Sequence, residues 1–405
     1  MRRREYHGRR PLGKEQGVGT GGILRTLVPS SPSQTDLPLR VVVACADRRV
    51  PLLAPGGAGV HLRGIAGGFG AWAEVSCWVA RADAADRGPA APRPAKVAVF
   101  PRGRLPGSLR KHRPWDAAVD ARAARRQALR WHGQRPVHLL YERAALFGRI
   151  GRLPGAARVV ELNAPLAWEA AWYEGEAPRR ALLQAEARSL RDADLVVVVS
   201  APLMEYAVRR GVDRARLLLL PNGAPPAPPR VRSTSRTLGY AGTFKPWHGL
   251  LEALPSLIAL APDRLELWGD GPLRVPFLRA LEEAGLPFVW RGWAEGDDLA
   301  RARAGWWGAW VPASSWPPPG SQTCADAFGE PIPPPYVSPL KEAEAAASGL
   351  PIWRGAGPLE PPAPAPRTWE QCAAEVLRAL QAQGVSSPTG SWFNAPRLDG
   401  QPGAA

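Results

Sequence analysis

The sequence predicts an α/β fold of two Rossmann-like domains that face each other across a cleft. Three observations carry this. Short apolar runs alternate with helical patterns from Leu39 onward. These runs lack polar alternation, which is typical of parallel strands covered on both faces. A Pro-rich, aperiodic stretch, Pro221 to Arg236, splits the alternation into two series and reads as a linker.

Residues 1–37 are polar, Gly-rich and aperiodic, and are expected to be a disordered tail or a mis-assigned start. The first domain is expected over residues 38–222. LRVVVACA (Leu39 to Ala46) is its first buried strand. A Gly-rich turn, Ala54 to Gly59, leads into an apolar helix from about Val60 to Trp72, and EVSCWVA is the next strand. That order implies a parallel sheet. PVHLLYER (Pro136 to Arg143), ARVVELN (Ala157 to Asn163) and ADLVVVVS (Ala193 to Ser200) are further strands, each followed by helical pattern. From Arg102 to Arg135 the only acids are Asp116 and Asp120, and Asp116 to Arg130 has helical spacing. This is either a solvated basic face or an amphipathic helix that rests on anionic lipid.

With 223–236 as the linker, the second domain is expected over 237–367. TLGYAG, RLELWGDG, FVWRGW, WWGAWVPAS and PIWRG are its strands, and LLEALPSLIALA is a helix. Residues 315–335 read as an inserted loop. TWEQCAAEVLRALQAQG, residues 368–384, is a terminal helix expected at the domain junction. Residues 385–405 are expected to be a loose tail. Ligands should sit at the carboxyl ends of the strands in both halves.

Composition narrows the class. A chain of 405 residues is long enough for two domains, and 45% hydrophobic residues is ordinary for a globular protein. No run of about 18 apolar residues suggests a transmembrane helix. The basic N-terminus lacks a following apolar segment, so no secretory signal is expected. The four cysteines (Cys45, Cys77, Cys324, Cys372) are scattered without a C-x-x-C pair. Reduced thiols, no zinc and a cytoplasmic setting follow, with peripheral contact at the inner membrane face left open. The net charge of +16 is carried almost entirely by Arg, with Lys only at positions 14, 96, 111, 245 and 341. No nucleic-acid module accompanies that charge, so nucleic acid is not an expected partner.

The most informative stretch is YVSPLKEAEAAASGLPIW, Tyr336 to Trp353. A Ser-Pro start presents free backbone N–H groups at a helix N-terminus, a seat for a diphosphate. Glu344, one to two turns on, can accept hydrogen bonds from ribose hydroxyls. The stretch resembles the nucleotide-sugar signature of the family 4 glycosyltransferases, SPLK-x-x-E-x-x-A-x-G-x-P. Other segments resemble the same family in the right order. LLAPGGAGVHLRG is similar to its Gly-rich first loop, with Gly57 beside the donor and Gly56 where Lys is usual. YERAALFG and VVELNAPLAWEA resemble segments on the cleft side of the first domain. They make Glu142, Arg143, Glu161 and Asn163 acceptor-side candidates, with a structural Glu142–Arg143 clamp as the alternative. ADLVVVVSAPLMEYAVRRGVDRARLLLLPNGA is similar over about 30 residues, and Asn222-Gly223 makes a turn at the domain junction.

YAGTFKPWHG resembles the family's phosphate loop. Gly242 and Thr243 then border the donor, and Lys245 supplies the cation in place of the usual Arg and Lys. LWGDGP supplies a glycine loop at Gly271, and FVWRGW places the base near Arg291-Gly292. Ser338, Pro339 and Leu340 open the donor helix. His61 is a candidate for positioning the sugar or acceptor. Tyr336 stands where many members carry the first of two glutamates. Asp192-Ala193-Asp194 spells D-x-D but precedes its strand, so no metal site is expected.

The resemblance implies a two-domain GT-B glycosyltransferase. Such an enzyme moves a sugar from a nucleotide-diphosphate donor to a carbohydrate, lipid-linked or small-molecule acceptor, with retention, no metal and no cofactor. A nucleotide-sugar epimerase of the same fold and an inactive GT-B protein that binds a glycan or partner are the alternatives.

Overall fold

The computed structural model describes residues 38–53, 56–82, 96–103, 113–231, 234–245, 248–294, 296–312, 316–336, 340–387 and 392. The expected N-terminal tail lies outside them. The first domain runs β1 (Arg40–Cys45), α1 (Gly57–Gly70), β2 (Glu74–Val79), β3 (Val97–Val99), α2 (Arg113–Gln134), β4 (Leu139–Arg143), β5 (Ala157–Leu162), α3 (Leu166–Tyr173), α4 (Arg180–Arg191), β6 (Leu195–Val198), α5 (Ala201–Arg209) and β7 (Leu217–Leu219). Its strands form one parallel sheet in the order β3-β2-β1-β4-β5-β6-β7. The order reverses between β1 and β4, where an open α/β sheet leaves a crevice at its carboxyl edge.

The second domain runs β8 (Thr237–Ala241), α6 (Leu254–Leu260), β9 (Arg264–Trp268), α7 (Arg274–Glu283), β10 (Phe288–Gly292), α8 (Asp297–Ala304), β11 (Gly308–Trp310), α9 (Ser321–Phe328), α10 (Leu340–Ala347) and β12 (Ile352–Trp353). Its parallel sheet has the order β10-β9-β8-β11-β12, with the switch between β8 and β11. The short edge strands β3 and β7 carry no periodicity that marks them in the sequence. Helix α6 is shorter than expected because Pro255, which lacks an N–H, belongs in a first helical turn.

Two expectations need correction. The supposed inserted loop contains α9, and α9 docks on the first domain. Cys324, Ala325, Phe328 and Tyr336 are buried in one core with Trp168, Leu182, Leu203 and Tyr206. Trp168 Nε1 donates to Glu330 at 2.9 Å, Arg210 pairs with Glu330, and Ser200 Oγ donates to the Tyr336 carbonyl at 2.6 Å. The linker is held to the second domain, where Val231 N donates to the Ala304 carbonyl at 2.8 Å and Arg230 reaches the Trp307 carbonyl at 3.1 Å. Finally, the end of the chain is not loose at Trp392, which is 1% exposed in the first domain's core and donates to the Val385 carbonyl at 2.9 Å.

Helix α11 (Trp369–Ala382) crosses from the second domain back to the first. A full capping box starts it: Thr368 accepts from the Gln371 amide, and Gln371 accepts from the Thr368 amide. It packs on α1 at two glycines. A Cβ on Gly64 would lie 2.3 Å from the Trp369 ring, and one on Gly68 would lie 2.1 Å from the Trp369 carbonyl oxygen. Only glycine permits that approach.

Helix α2 matches the expected basic helix. Ala124 and Ala128 are buried, and Trp131 meets Phe100 and Trp78 at ring distances of 5.3 and 5.2 Å. Arg122, Arg126 and Arg130, spaced four apart, are exposed with Leu129. No described helix is long and apolar enough to cross a membrane. The four cysteines are free and buried.

Candidate active site

A cavity of about 710 Å³ opens between the two domains and is lined by both, and by Trp369 of α11. It lies at the carboxyl ends of the strands. Arg143 closes β4, Asn163 follows β5, and Gly242 follows β8.

The wall from the second domain centres on Lys341 in the first turn of α10. Gly242 makes room for it, since a Cβ there would lie 2.5 Å from Lys341 Cε. The Lys341 ammonium sits 5.1 Å from the centre of the Tyr240 ring, a cation–π distance. Burial pushes its pKa down to about 8, while Glu344 and Glu342 act to raise it. Glu344 also lines the cavity, where the nearly buried Arg303 holds its carboxylate. Gly269 has φ +118, and a Cβ there would lie 2.0 Å from the Gly242 carbonyl oxygen. The two loops therefore pack backbone to backbone. Burial, and then the charges of Lys341 and Lys245, push the His248 imidazole down to about 3 against a raising bond to Thr243. The ring is neutral at pH 7, and its Nδ1–H donates to the Thr243 carbonyl at 2.5 Å.

The wall from the first domain centres on His61 in α1. Its Nε2 lies 2.6 Å from Glu161 Oε1, and both side chains are buried. Burial alone would raise the Glu161 carboxyl. The charge and hydrogen bond of His61, then Arg143 and Asn163, outweigh it and hold the carboxyl below its ordinary value. The Trp369 ring meets the imidazole edge-on at 5.0 Å.

Of the residues singled out in the sequence, Gly57, His61, Arg143, Asn163, Gly242, Thr243, Leu340 and Glu344 line the cavity. Glu161 stands behind His61. Ser338 and Pro339 lie outside the described residues. Four others stand elsewhere. Lys245 does not line the cavity; Lys341 does. Gly271 packs on Phe244, where a Cβ would meet the carbonyl oxygen at 2.6 Å. Arg291 turns toward Glu266 at 3.7 Å. Glu142 is a buried structural acceptor, bound by Arg158 Nε at 2.9 Å and by the Ile150 amide at 2.6 Å. The clamp is thus Glu142–Arg158. Strand alternation explains the split. Glu142 shares the face of Leu140, toward the core that holds Ala124 and Ala128 of α2, whereas Glu161 shares the face of Val159, toward α1.

Tyr336 faces the first domain, where its hydroxyl donates to Glu169. Asp194 accepts from the Arg158 amide at 2.8 Å and pairs with Arg152 at 2.6 Å, at the amino end of β6. Among the described residues, no group of three or more His, Cys, Asp or Glu is placed to hold a metal ion. The sequence reading missed Lys341, Arg303, Trp268, Trp293 and Trp369. For Lys341 a signal existed, since it is the Lys of SPLK.

Residues 56–223 match the family model described as a glycosyl transferase 4-like domain. The chain is similar to sucrose-phosphate synthase from Thermosynechococcus elongatus, at 16% identity and a TM-score of 0.56, over 88% of this chain and 93% of that one. It is similar to HepE of Anabaena in complex with UDP-glucose, at 14% identity and a TM-score of 0.51, over 89% and 96% of the two chains. It is also similar to WaaG, a glycosyltransferase involved in lipopolysaccharide biosynthesis, at 14% identity and a TM-score of 0.50, over 87% and 94%. These likenesses establish the GT-B fold. No curated protein matches the chain.

The Glu142–Arg158 clamp makes a stability prediction. Glu142→Ala removes the nearest carboxylate from a guanidinium that is 0% exposed, leaving it the Ser189 carbonyl at 2.9 Å and Asp192 at 3.7 Å, and should cost about 3 kcal/mol. Urea unfolding checks this; an unchanged midpoint would show that Glu142 is not structural.

Proposed function

We propose that this chain, a GT-B protein with a glycosyl transferase 4-like domain at residues 56–223, moves a sugar from a nucleotide-diphosphate donor to an acceptor, without a metal and with retention. The observation that carries the reading is Lys341. It places a cation at the start of α10, on the cavity wall, one turn before Glu344. A helix N-terminus and an ammonium together favour a diphosphate. They also stabilise the charge that grows on the leaving nucleotide. HepE, with the same fold, was solved with UDP-glucose, which supports a nucleotide-sugar donor here.

In this reading Glu344 holds ribose while Arg303 fixes its carboxylate. His61, oriented by Glu161, positions a sugar hydroxyl, and Arg143 and Asn163 face the acceptor. The leaving diphosphate takes the acceptor's proton on the face from which it departs, so positioning and electrostatics supply the catalysis. Product stereochemistry by NMR and activity in EDTA check the mechanism. The expected outcome is a retained anomer and full activity with chelator. Inversion, or activity restored only by manganese, would overturn it.

The ammonium gives the donor site a pH dependence. Lys341→Ala should weaken UDP binding about tenfold or more, roughly 1.4 kcal/mol, and Lys245→Ala should do less. In the wild type, affinity should fall as pH rises through about 8, where Lys341 loses its proton. Stability should move the other way. The folded-state value lies below the ordinary 10.5, so the unfolded chain binds more protons between the two and stability rises with pH there. Calorimetric titration of UDP from pH 7 to 9.5 is the measurement. A flat profile refutes the role of Lys341.

The exposed arginines of α2 extend the reading to a lipid-linked acceptor. Arg122, Arg126 and Arg130 would rest on anionic lipid, each worth about 1 kcal/mol near such a surface. Co-sedimentation with phosphatidylglycerol vesicles at low salt is expected, with loss at high salt. No binding at low salt ends this part of the proposal.

A further inference from the structure

Helix α10 brings Leu340, Lys341 and Glu344 to the cavity wall. Its own apolar hold on the second domain is slight. The side chains it buries are those of Ala345 and Ala346, and a methyl group contributes far less than a large apolar side chain does. Glu344 pairs with Arg303, and Glu342 pairs with Arg354. The second of these pairs is partly exposed, which makes it weak.

The segment in front of α10 is held by larger side chains, and by the other domain. The rings of Phe328 and Trp168 lie 4.9 Å apart, and Trp316 meets Trp172 at 5.4 Å and Tyr336 at 5.5 Å. Trp168 and Trp172 belong to α3 of the first domain. Tyr336 is buried and is gripped at both ends. Its hydroxyl donates to Glu169 of α3, and its carbonyl accepts from Ser200 Oγ, just before α5, at 2.6 Å. Tyr336 does not line the cavity, and α10 begins at Leu340. The last firm contact before the donor helix is therefore made with the acceptor-side domain.

We propose that Tyr336 is a positioning residue: held by Glu169 and Ser200, it fixes the start of α10, and with it Lys341, against the first domain. The proposal rests on the nucleotide-sugar reading above for the donor, and adds the contact that sets the two walls of the cavity at their working separation. Tyr336 acts through α10 and touches no substrate.

The experiment compares wild type with Tyr336→Phe, Glu169→Ala and Glu169→Gln by urea unfolding, calorimetric titration of UDP and amide hydrogen exchange. Tyr336→Phe keeps the buried ring and loses only the hydroxyl. It should weaken UDP about fivefold, the net worth of one hydrogen bond. Exchange in α10 should quicken while α7, in the same domain, keeps its wild-type protection. Glu169→Ala should do the same. Glu169→Gln, whose carboxamide oxygen still accepts from the Tyr336 hydroxyl, should stay near wild type in both. A lowered urea midpoint with unchanged UDP affinity overturns the proposal, because a purely structural bond gives that result. Unchanged exchange in α10 also overturns it, as does an equal loss in Glu169→Gln and Glu169→Ala. If wild type binds no UDP, the nucleotide-sugar reading fails, and exchange in α10 decides the positioning role by itself.

Discussion

The close approach of α11 to α1 is the contact on which the rest of this structure depends. Gly64 and Gly68 lie four residues apart on one face of α1, and Trp369 fills the space where their side chains would be. A chain that has completed its second domain thereby returns to the first. Cys372, Val376, Leu377 and Leu380 of α11 enter the same core as Leu62, Ile65 and Phe69 of α1. Burial of that order supplies about 1.5–3 kcal/mol for each large side chain. The same contact brings the Trp369 ring to the edge of His61. Architecture and site are therefore joined at one helix pair.

The cavity has two walls of different electrostatic design. On the first-domain side an acid–imidazole pair is buried, and Glu161 is kept ionised by His61 and Arg143 against the cost of desolvation. On the second-domain side a half-buried ammonium has lost part of its preference for charge. Such a cation gains more from an arriving anion than a fully solvated one does, because the interaction is less screened. Glu344 is already engaged by Arg303, so its carboxylate is fixed before a ligand arrives. The arrangement is suited to holding charge and hydroxyl groups in place.

The segment before α10 binds the two domains by a second route. Phe328 sits 4.9 Å from Trp168, and Arg210 joins Glu330 to the buried Glu186. Tyr336, the residue that replaces an expected glutamate, is used here: its hydroxyl serves Glu169 and its carbonyl serves Ser200. Helix α10 thus begins within a few residues of a segment anchored on the opposite domain.

The sequence by itself determined the strand–helix alternation, the two-domain division and most strand positions. Long apolar runs such as ADLVVVVS have one stable use, inside a covered parallel sheet. It also determined α11, since Thr368 and Gln371 are local capping chemistry. Tertiary structure decided the rest, because the deciding contacts join residues far apart in the chain. Both lysines fall in motifs legible in the sequence, Lys341 in SPLK and Lys245 in FKPWHG; that Lys341 is the one on the cavity wall is decided by the space above Gly242. Nothing local tells Glu142 from Glu161, since each is the next-to-last residue of its β-strand. Alternation says that neighbours on a strand point apart, but only the packed helices say which face meets the cleft. Helix α9 was hidden for the same reason: its apolar face is satisfied by Trp168 and Tyr206, which lie more than a hundred residues upstream.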